Sequence, residues 1–145
     1  MASEVVEVYA QTNRLLHAGQ VAVDIGGLLL LTFSNGVFAS LDCSWSRPPY
    51  YATWGGLGFE MITDRGAVLV DAFRQNLTVY RADLQRPTLA HWGSDADQSM
   101  LADFLDAVRT GRPPRVTGLD GLRATEVVVA AYESARLGQP VRLEE

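Results

Sequence analysis

The spacing of apolar residues changes near residue 94, from the alternation of a strand to the period of a helix. Before this point, runs rich in β-branched and aromatic residues are separated by short turn sequences, a pattern typical of β-strands. The runs predict strands at residues 5–15, 21–33, 37–45, 58–63, 67–72 and 76–82. The turns between the later runs are too short for crossover helices, so we expect antiparallel pairing.

Glycines interrupt these apolar runs at two informative points. Asn35-Gly36 lies between two runs and predicts a tight hairpin, because both residues tolerate the positive φ of such turns. Gly26-Gly27 lies inside a predicted strand and indicates a β-bulge. After the hairpin, Cys43 shares a strand face with Leu41 and Trp45, so we expect a buried, unreactive thiol.

The last third of the chain has helical periodicity. Ser94 and Asp97 have the spacing of a capping box and predict a helix start. Four apolar residues then repeat at i, i+3, i+4 and i+7: Leu101, Phe104, Leu105 and Val108. Gly111 ends this helix. A second helix is predicted at residues 122–137, and residues 141–143 have the composition of an edge strand.

Strands followed by helices indicate an α+β fold. We expect a largely antiparallel, open-faced sheet of about six strands, with two C-terminal helices packed on one face. A chain of 145 residues buries enough surface for its own core, and we predict a single domain over residues 1–145.

Charge and cysteine content exclude several classes of function. Twelve basic and seventeen acidic residues give a formal charge of −5, which argues against a nucleic-acid or membrane partner. All twelve basic residues are arginine, so this chain supplies no Schiff-base or catalytic lysine. Its single cysteine forms no internal disulfide. No signal peptide or membrane span is evident, and we expect a cytoplasmic protein.

Two candidate sites are rejected on spacing. Gly56-Leu57-Gly58 lacks the third glycine of a dinucleotide fingerprint and is followed by a predicted strand, where the fingerprint requires a helix. His91, Asp95 and Asp97 lack the remaining ligands of a calcium loop, and acidic residues at a helix start are explained by the helix dipole. We therefore predict no cofactor-binding or metal-binding residue in the chain.

A loop at residues 46–56 carries the most suggestive side chains. Trp45 precedes it, and its candidate contact residues are Arg47, Tyr50, Tyr51 and Trp54. Aromatic rings with one guanidinium suit a polar ring or a carboxylate, by stacking and bidentate hydrogen bonding. The same residue types are enriched at subunit interfaces, and they also occur in ordinary cores. The pattern leaves these three interpretations open.

Several predicted strands are apolar on both faces, as at Leu28–Leu31 and Val68–Val70. Two helices are enough to cover only one face of a sheet. A second subunit or another domain is expected on the other face.

Three segments, in order, resemble the C-terminal domain of the Gfo/Idh/MocA oxidoreductases (the glucose–fructose oxidoreductase, inositol dehydrogenase and rhizopine-catabolism family). The first, LLLTFSNGVFASLDCSW (29–45), is similar to the family's Asn-Gly hairpin that ends in Ser-Trp. The second, FEMITDRGAVLVD (59–71), is similar to the strands that follow it. The third is similar to the family's C-terminal helices and covers FLDAVRTGRPPRVTGLDGLRATEVVVAAYESARLGQPVRL (104–143).

The resemblance implies the substrate-binding and oligomerisation domain of an NAD(P)-dependent sugar or cyclitol dehydrogenase. It implies NAD or NADP for the full-length enzyme, held by an N-terminal Rossmann domain that the 145 residues lack, and homo-oligomers formed through the open sheet. The family's catalytic motifs precede the matched region, so the isolated chain is expected to be inactive. Arg47, Tyr50, Tyr51 and Trp54 fall in the family's variable loop, which can reach the substrate. The alternative is a stand-alone α+β module for dimerisation or for binding a small ligand.

Overall fold

Strands precede helices in the computed structural model, which describes residues 3–16, 19–45, 56–91, 93 and 95–143. The strands in this part of the chain are β1 (Val5–Asn13), β2 (Gly26–Phe33), β3 (Phe38–Asp42), β4 (Gly58–Thr63), β5 (Gly66–Asp71), β6 (Asn76–Arg81), β7 (Arg86–His91) and β8 (Val141–Arg142). The helices are α1 (Ala96–Thr110) and α2 (Gly118–Leu137). The predicted α+β class is confirmed.

The described strands form two antiparallel four-stranded sheets, with orders β3-β2-β1-β8 and β4-β5-β6-β7. The strand number therefore exceeds the six or so expected from the sequence. The additional strand with no counterpart in the prediction is β7, which contains Pro87. Proline lacks an N–H donor and is tolerated at a sheet edge, which is where β7 lies.

The chain divides into two compact units, Met1–Ser46 with Arg115–Glu145, and Arg47–Pro114. The first unit contains the β3-β2-β1-β8 sheet and α2, and the second contains the β4-β5-β6-β7 sheet and α1. A single domain over residues 1–145 stays a prediction.

The core of the first unit lies between its sheet and α2. Val8 and Ala10 of β1 and Leu29 of β2 pack against Ala130 and Ala131 of α2. All five are buried, and in the antiparallel register Ala10 lies opposite Leu29. Small residues on α2 allow the helix to approach the sheet closely, and this contact fixes which sheet face remains open.

Backbone geometry confirms the predicted hairpin between β2 and β3. The Phe33 N–H donates to the Val37 carbonyl at 2.8 Å, and Gly36 has a φ of 83°. The predicted bulge at Gly26-Gly27 is wrong, because both residues pair in regular register with β1. Space explains Gly27: a Cβ there would lie 2.7 Å from the Cys43 Sγ.

Helix α2 begins four residues before the predicted start, at a capping box. The Thr117 side chain accepts from the Asp120 N–H at 3.3 Å, and Asp120 Oδ2 accepts from the Thr117 N–H at 2.7 Å. This reciprocal pairing satisfies two backbone donors that a helix start otherwise leaves open. The helix ends as predicted before Gly138, which has a φ of 69°.

Helix α1 begins with a different cap from the predicted one. Asp95 is the N-cap, and its carboxylate accepts from the Asp97 and Gln98 N–H groups at 2.9 and 3.1 Å. Ser94, the predicted cap, lies outside the described residues. The buried residue of α1 is Ala107, which lies outside the apolar face predicted from the sequence. That face is exposed: Leu101, Phe104, Leu105 and Val108.

Candidate functional site

The predicted contact residues Arg47, Tyr50, Tyr51 and Trp54 all lie in residues 46–55, outside the described part of the chain. Their role stays a prediction. The structure does describe Trp45, directly before this segment, and the residues around it.

Trp45 is fixed at the end of the β2–β3 hairpin by two hydrogen bonds. Its indole Nε1–H donates to the Asp24 carbonyl at 2.8 Å, and its backbone N–H donates to the Ile25 carbonyl at 3.2 Å. Ile25 is 2% exposed, whereas Trp45 is 55% exposed. A buried neighbour therefore anchors the backbone while much of the indole surface stays open to a ligand or partner.

Asp24, whose backbone carbonyl accepts from the indole, also bonds to a phenol through its carboxylate. The Tyr132 hydroxyl of α2 donates to Asp24 Oδ1 at 2.7 Å. The hydrogen bond to Asp24 and the negative charge of that carboxylate raise the pKa of Tyr132 above its ordinary value, so the phenol keeps its proton. Asp24, Trp45 and Tyr132 form what we call the hairpin-end cluster.

The hairpin-end cluster offers an aromatic face, a carboxylate and a hydroxyl. This combination suits a polyhydroxylated ring, because the apolar ring face packs on an aromatic side chain and hydroxyl groups bond to polar side chains. Sequence reasoning missed Asp24 and Tyr132. Asp24 could have been noticed as the one acidic residue in the apolar run Val21–Ile25, whereas Tyr132 is brought to it only by packing of α2.

The arginines near the helix ends are engaged with carboxylates. Arg112 donates to Asp103 Oδ1 at 2.7 Å and to Asp106 Oδ2 at 3.0 Å. Arg109 also donates to Asp106, at 2.9 Å. Hydrogen bonds from Arg109 and Arg112 lower the pKa of Asp106. This cluster has the geometry of a local ion-pair network and leaves little positive charge for an anion.

The two other residues with potential chemistry have structural surroundings. Asp95 caps α1, and His91 lies opposite Asn76 in the β6–β7 ladder. Among the described residues, no group of three His, Cys, Asp or Glu side chains is arranged to hold a metal ion. Cys43 is a free, exposed thiol, so the prediction that it is buried is wrong. The alternation along the strand correctly predicted which face of the sheet carries Cys43. It could not show how much of that face α2 covers.

The first unit leaves apolar side chains on the sheet face opposite α2. Side chains on this open face alternate with the buried ones of β1 and β2, and the register brings Tyr9 opposite Leu30. Leu28 and Leu30 are 56% and 50% exposed, and Phe38 of β3 is 78% exposed. An exposed apolar sheet face of this kind is typical of an interaction surface.

The sheet of the second unit carries exposed apolar side chains on both faces. One face carries Phe59 and Met61 of β4 beside their partners in β5, and the other carries Ile62. These three side chains are 53%, 44% and 80% exposed.

Within the described residues no helix has the length and apolar character to cross a bilayer.

Comparison with known proteins explains this combination of sheets and helices. Residues 1–143 match a family model described as "Oxidoreductase family, C-terminal alpha/beta domain", that of the Gfo/Idh/MocA oxidoreductases. The chain belongs to this family. The resemblance seen in the three sequence segments is thereby confirmed for nearly every residue of the chain.

Individual relatives agree with this assignment. The chain is 30% identical to the uncharacterized oxidoreductase YrbE of Bacillus subtilis, over 99% of the chain and 43% of that protein. It is 26% identical to a Thermotoga maritima protein described as an oxidoreductase, with a TM-score of 0.84 over 97% of the chain and 41% of that structure. A levoglucosan dehydrogenase solved with NADH and levoglucosan shares the fold, with a TM-score of 0.82, 19% identity, and coverage of 98% and 46%.

The domain of the Gfo/Idh/MocA family described here spans less than half the length of these relatives. The cofactor seen with the levoglucosan dehydrogenase belongs to that longer protein. The match to the family model, over residues 1–143, is what assigns the chain to this C-terminal domain.

Proposed function

We propose that this chain is the substrate-binding and oligomerisation domain of a cytoplasmic, NAD- or NADP-dependent sugar or cyclitol dehydrogenase. The nucleotide would be held by a preceding Rossmann domain, and this chain would be inactive by itself. The observation that carries the proposal is the match of residues 1–143 to the C-terminal domain of an oxidoreductase family. Without the nucleotide there is no hydride donor or acceptor for a dehydrogenase reaction.

The hairpin-end cluster supports the substrate-binding part of the proposal. Trp45 immediately precedes the segment with Arg47, Tyr50, Tyr51 and Trp54, and its backbone is anchored beside a carboxylate. The two hydrogen bonds of Trp45 fix the position from which that segment continues. A hydroxylated ring is the ligand class that these groups suit best.

The open sheet faces support the oligomerisation part. Leu28, Leu30 and Phe38 form an apolar patch on the face of the sheet away from α2. A second copy of the same surface would bury this patch around a twofold axis, the commonest symmetry of soluble oligomers.

Nucleotide titrations test the inactivity of the isolated chain. Calorimetry of the 145-residue protein with NADH and with NADPH is expected to show no binding. Binding with low-micromolar affinity would contradict the proposal and would favour a stand-alone module. The longer protein, in which a nucleotide-binding domain precedes this chain, is expected to bind one of the two nucleotides.

Substrate binding is tested in that longer protein with sugars and cyclitols as substrates. The variant Arg47→Ala is expected to raise KM for the sugar by about 10- to 100-fold, the size expected for loss of a charged hydrogen bond. The KM for the nucleotide should stay unchanged. Arg65→Ala, at the β4–β5 turn, is the matched control and should alter neither constant. Equal effects of both variants would argue against the loop as a substrate contact.

A further inference from the structure

Helix α1 carries a row of five large apolar side chains that no described part of the chain covers. They are each between 56% and 68% exposed: Met100, Leu101, Phe104, Leu105 and Val108. Because successive residues of a helix are rotated by about 100°, all five lie on one side of α1. We call these five residues the α1 stripe. An exposed apolar surface of this kind is typical of an interaction site.

The other side of α1 is closed by the residues that follow the helix. Arg112 donates to Asp103 Oδ1 at 2.7 Å and to Asp106 Oδ2 at 3.0 Å. Both carboxylates project from the side of the helix away from the α1 stripe, and Ala107, beside them, is 5% exposed. The segment after α1 is therefore held against the polar side of the helix, and it leaves the α1 stripe open.

The spacing of the α1 stripe is the same in both chain directions. From Leu101 the next apolar residues follow after three, one and three positions, and the order is identical when it is read back from Val108. An antiparallel second copy of the helix therefore places Leu101 level with Val108 and Phe104 level with Leu105. A twofold axis requires such self-complementarity, because both copies use the same surface.

The charges along α1 favour the same antiparallel direction. Asp97 lies in the first turn of the helix and Arg109 in the last turn. Antiparallel copies bring the acidic end of each helix towards the basic end of the other, and their helix dipoles are opposed. Parallel copies would instead bring two Asp97 carboxylates together. Charge and spacing thus select the same arrangement.

We propose that the α1 stripe is a self-association surface, occupied by the α1 stripe of a second copy in the antiparallel direction. This contact is separate from the open sheet face of the first unit, and it does not depend on the dehydrogenase proposal. Five side chains on each helix bury less than the roughly 1,200–2,000 Å² of a standard interface. The contact is therefore weak by itself, and a covalent trap is the suitable way to detect it.

Disulfide trapping tests both the contact and its direction. Cys43→Ser removes the native thiol, and one variant then carries Leu101→Cys while another carries Val108→Cys. These two positions are level in the antiparallel pair, whereas two copies of Leu101→Cys lie seven positions, or about 10 Å, apart along the helix axis. A disulfide requires Cα atoms within about 7 Å of each other, so the mixed pair alone has suitable geometry.

An equal mixture of the two variants under mild oxidation should give the mixed disulfide dimer as its main product, well above its share in random pairing. Intact-mass spectrometry separates the mixed dimer from the two homodimers. Ser99→Cys with Thr110→Cys is the matched control. These exposed positions are symmetric about the same midpoint of the helix but lie on its opposite side, so they should give slow, random crosslinking.

A charge in the α1 stripe should remove the preference for the mixed dimer. Leu105→Lys, added to both cysteine variants, would have to bury an ammonium group in the helix pair. Leu105 is 65% exposed, so this change should leave the far-ultraviolet circular dichroism of the chain unaltered. A mixed dimer that still dominates in the Leu105→Lys background would contradict the proposed contact.

Other results would also overturn the proposal. Homodimers of Leu101→Cys as the main product would show parallel pairing, and random products from both cysteine pairs would show that no specific contact exists. Slow maleimide labelling of both stripe cysteines in a monomeric chain would assign the α1 stripe to a contact within one chain. Leu30→Lys, on the open sheet face, should leave the mixed disulfide in place, and its loss there would assign the contact to the sheet-linked oligomer.

Discussion

A single hydroxyl joins the central strand of the first unit to the end of its main helix. Ser134 is fully buried, accepts from the Ala10 N–H at 2.9 Å and donates to the Gln139 carbonyl at 2.7 Å. Strand β8 pairs with β1 only at Glu7 and Val8, so it supplies no partner for Ala10. The serine takes the place of a strand at this point and continues the hydrogen bonding of β1.

Replacing Ser134 with alanine should destabilise the domain by about 1–3 kcal/mol, because the buried Ala10 N–H would lose its acceptor. Urea unfolding followed by far-ultraviolet circular dichroism measures the loss. Ser99→Ala is the control: its hydroxyl donates to Asp95 in an exposed helix turn, and a change within about 0.5 kcal/mol is expected. Similar losses for the two variants would contradict the bridging role of Ser134.

Glycine is required at position 66 for reasons of both backbone conformation and space. Gly66 has a φ of 138°, and a Cβ at this position would lie 1.8 Å from the Tyr80 carbonyl oxygen. The short gap between the predicted strands at 58–63 and 67–72 indicated a turn, but the strand register that brings Tyr80 next to Ala67 could not be derived from it. The close approach follows from pairing between β5 and β6.

Gly66→Ala should lower the free energy of unfolding of the β4-β5-β6-β7 sheet by about 2–4 kcal/mol, from backbone strain and steric overlap. Gly121→Ala is the matched control. It lies in α2 with nothing within 4 Å of its added Cβ, so a gain of about 0.5–1 kcal/mol is expected from better helix propensity. Thermal unfolding of both variants gives the comparison. A loss for both, or for neither, would argue against this account.

At the scale of the elements, the start of α2 depends on ionisation of one carboxylate. Hydrogen bonds from the Thr117 hydroxyl and N–H lower the pKa of Asp120 from its ordinary value of 3.8. A lowered pKa in the folded state means that the stabilisation is present above about pH 4 and disappears as the pH falls through the folded-state value. The capping box is therefore sensitive to acid.

Asp120→Asn should lower the stability at pH 7 and make its decrease between pH 5 and pH 2 shallower than in the unmodified chain. Thr117→Ala removes the hydroxyl partner and should flatten the same part of the profile. The double variant should add little, because the two residues act as one unit. Urea midpoints across this pH range are the measurement. An unchanged acid profile in Asp120→Asn would show that other carboxylates dominate.

Element prediction succeeded where the local pattern and the packing agree. The alternation of β2 and β3 and the Asn35-Gly36 turn were sufficient for that hairpin. The Thr117-x-x-Asp120 spacing at the start of α2 is present in the sequence, but the predicted helix began only at residue 122, so this capping box was missed. Strand β7 was missed since Pro87 lowers strand propensity, and only its edge position makes the proline acceptable.

The exposure of the apolar face of α1 is a second feature that the helical periodicity of the sequence could not predict. Its periodic apolar residues were predicted to pack against a sheet, yet Phe104 and Leu105 are 58% and 65% exposed. Arg112 bonds to Asp103 and Asp106, which lie away from the apolar face. Amphipathicity identifies the helix and its faces, whereas the partner of each face depends on tertiary structure.

For the whole molecule, the exposed apolar sheet surface predicts association in solution. Light scattering at tens of micromolar protein should give the mass of a dimer or a larger oligomer. Leu30→Lys places a charge in the apolar patch opposite Tyr9 and should shift the mass towards the monomer, because burying the charge is costly. Leu15→Lys, at a side chain 84% exposed outside the strands, should leave the mass unchanged. A monomer at all concentrations would contradict oligomerisation through the open sheet.

The sequence could predict the class of the whole molecule better than its candidate site. Fold and family follow from strand and helix periods and from motifs that span most of the chain. The hairpin-end cluster joins Asp24, Trp45 and Tyr132 from three distant parts of the chain, and neither its hydrogen bonds nor its exposure has a local signature. Prediction from single residues therefore missed Asp24 and Tyr132, and the loop that it proposed as a contact site stays a prediction.

The exposed thiol of Cys43 allows separation of β2 and β3 to be followed with a label. It is the single cysteine of the chain and lies next to Gly27 across the strand pair, where the Cys43 N–H donates to the Gly27 carbonyl at 3.0 Å. A spectroscopic label on this sulfur would report separation of the two strands without any engineered residue. Because Gly27 leaves space for the sulfur, the native cysteine can carry a label that detects fraying of this strand pair beside the proposed substrate loop.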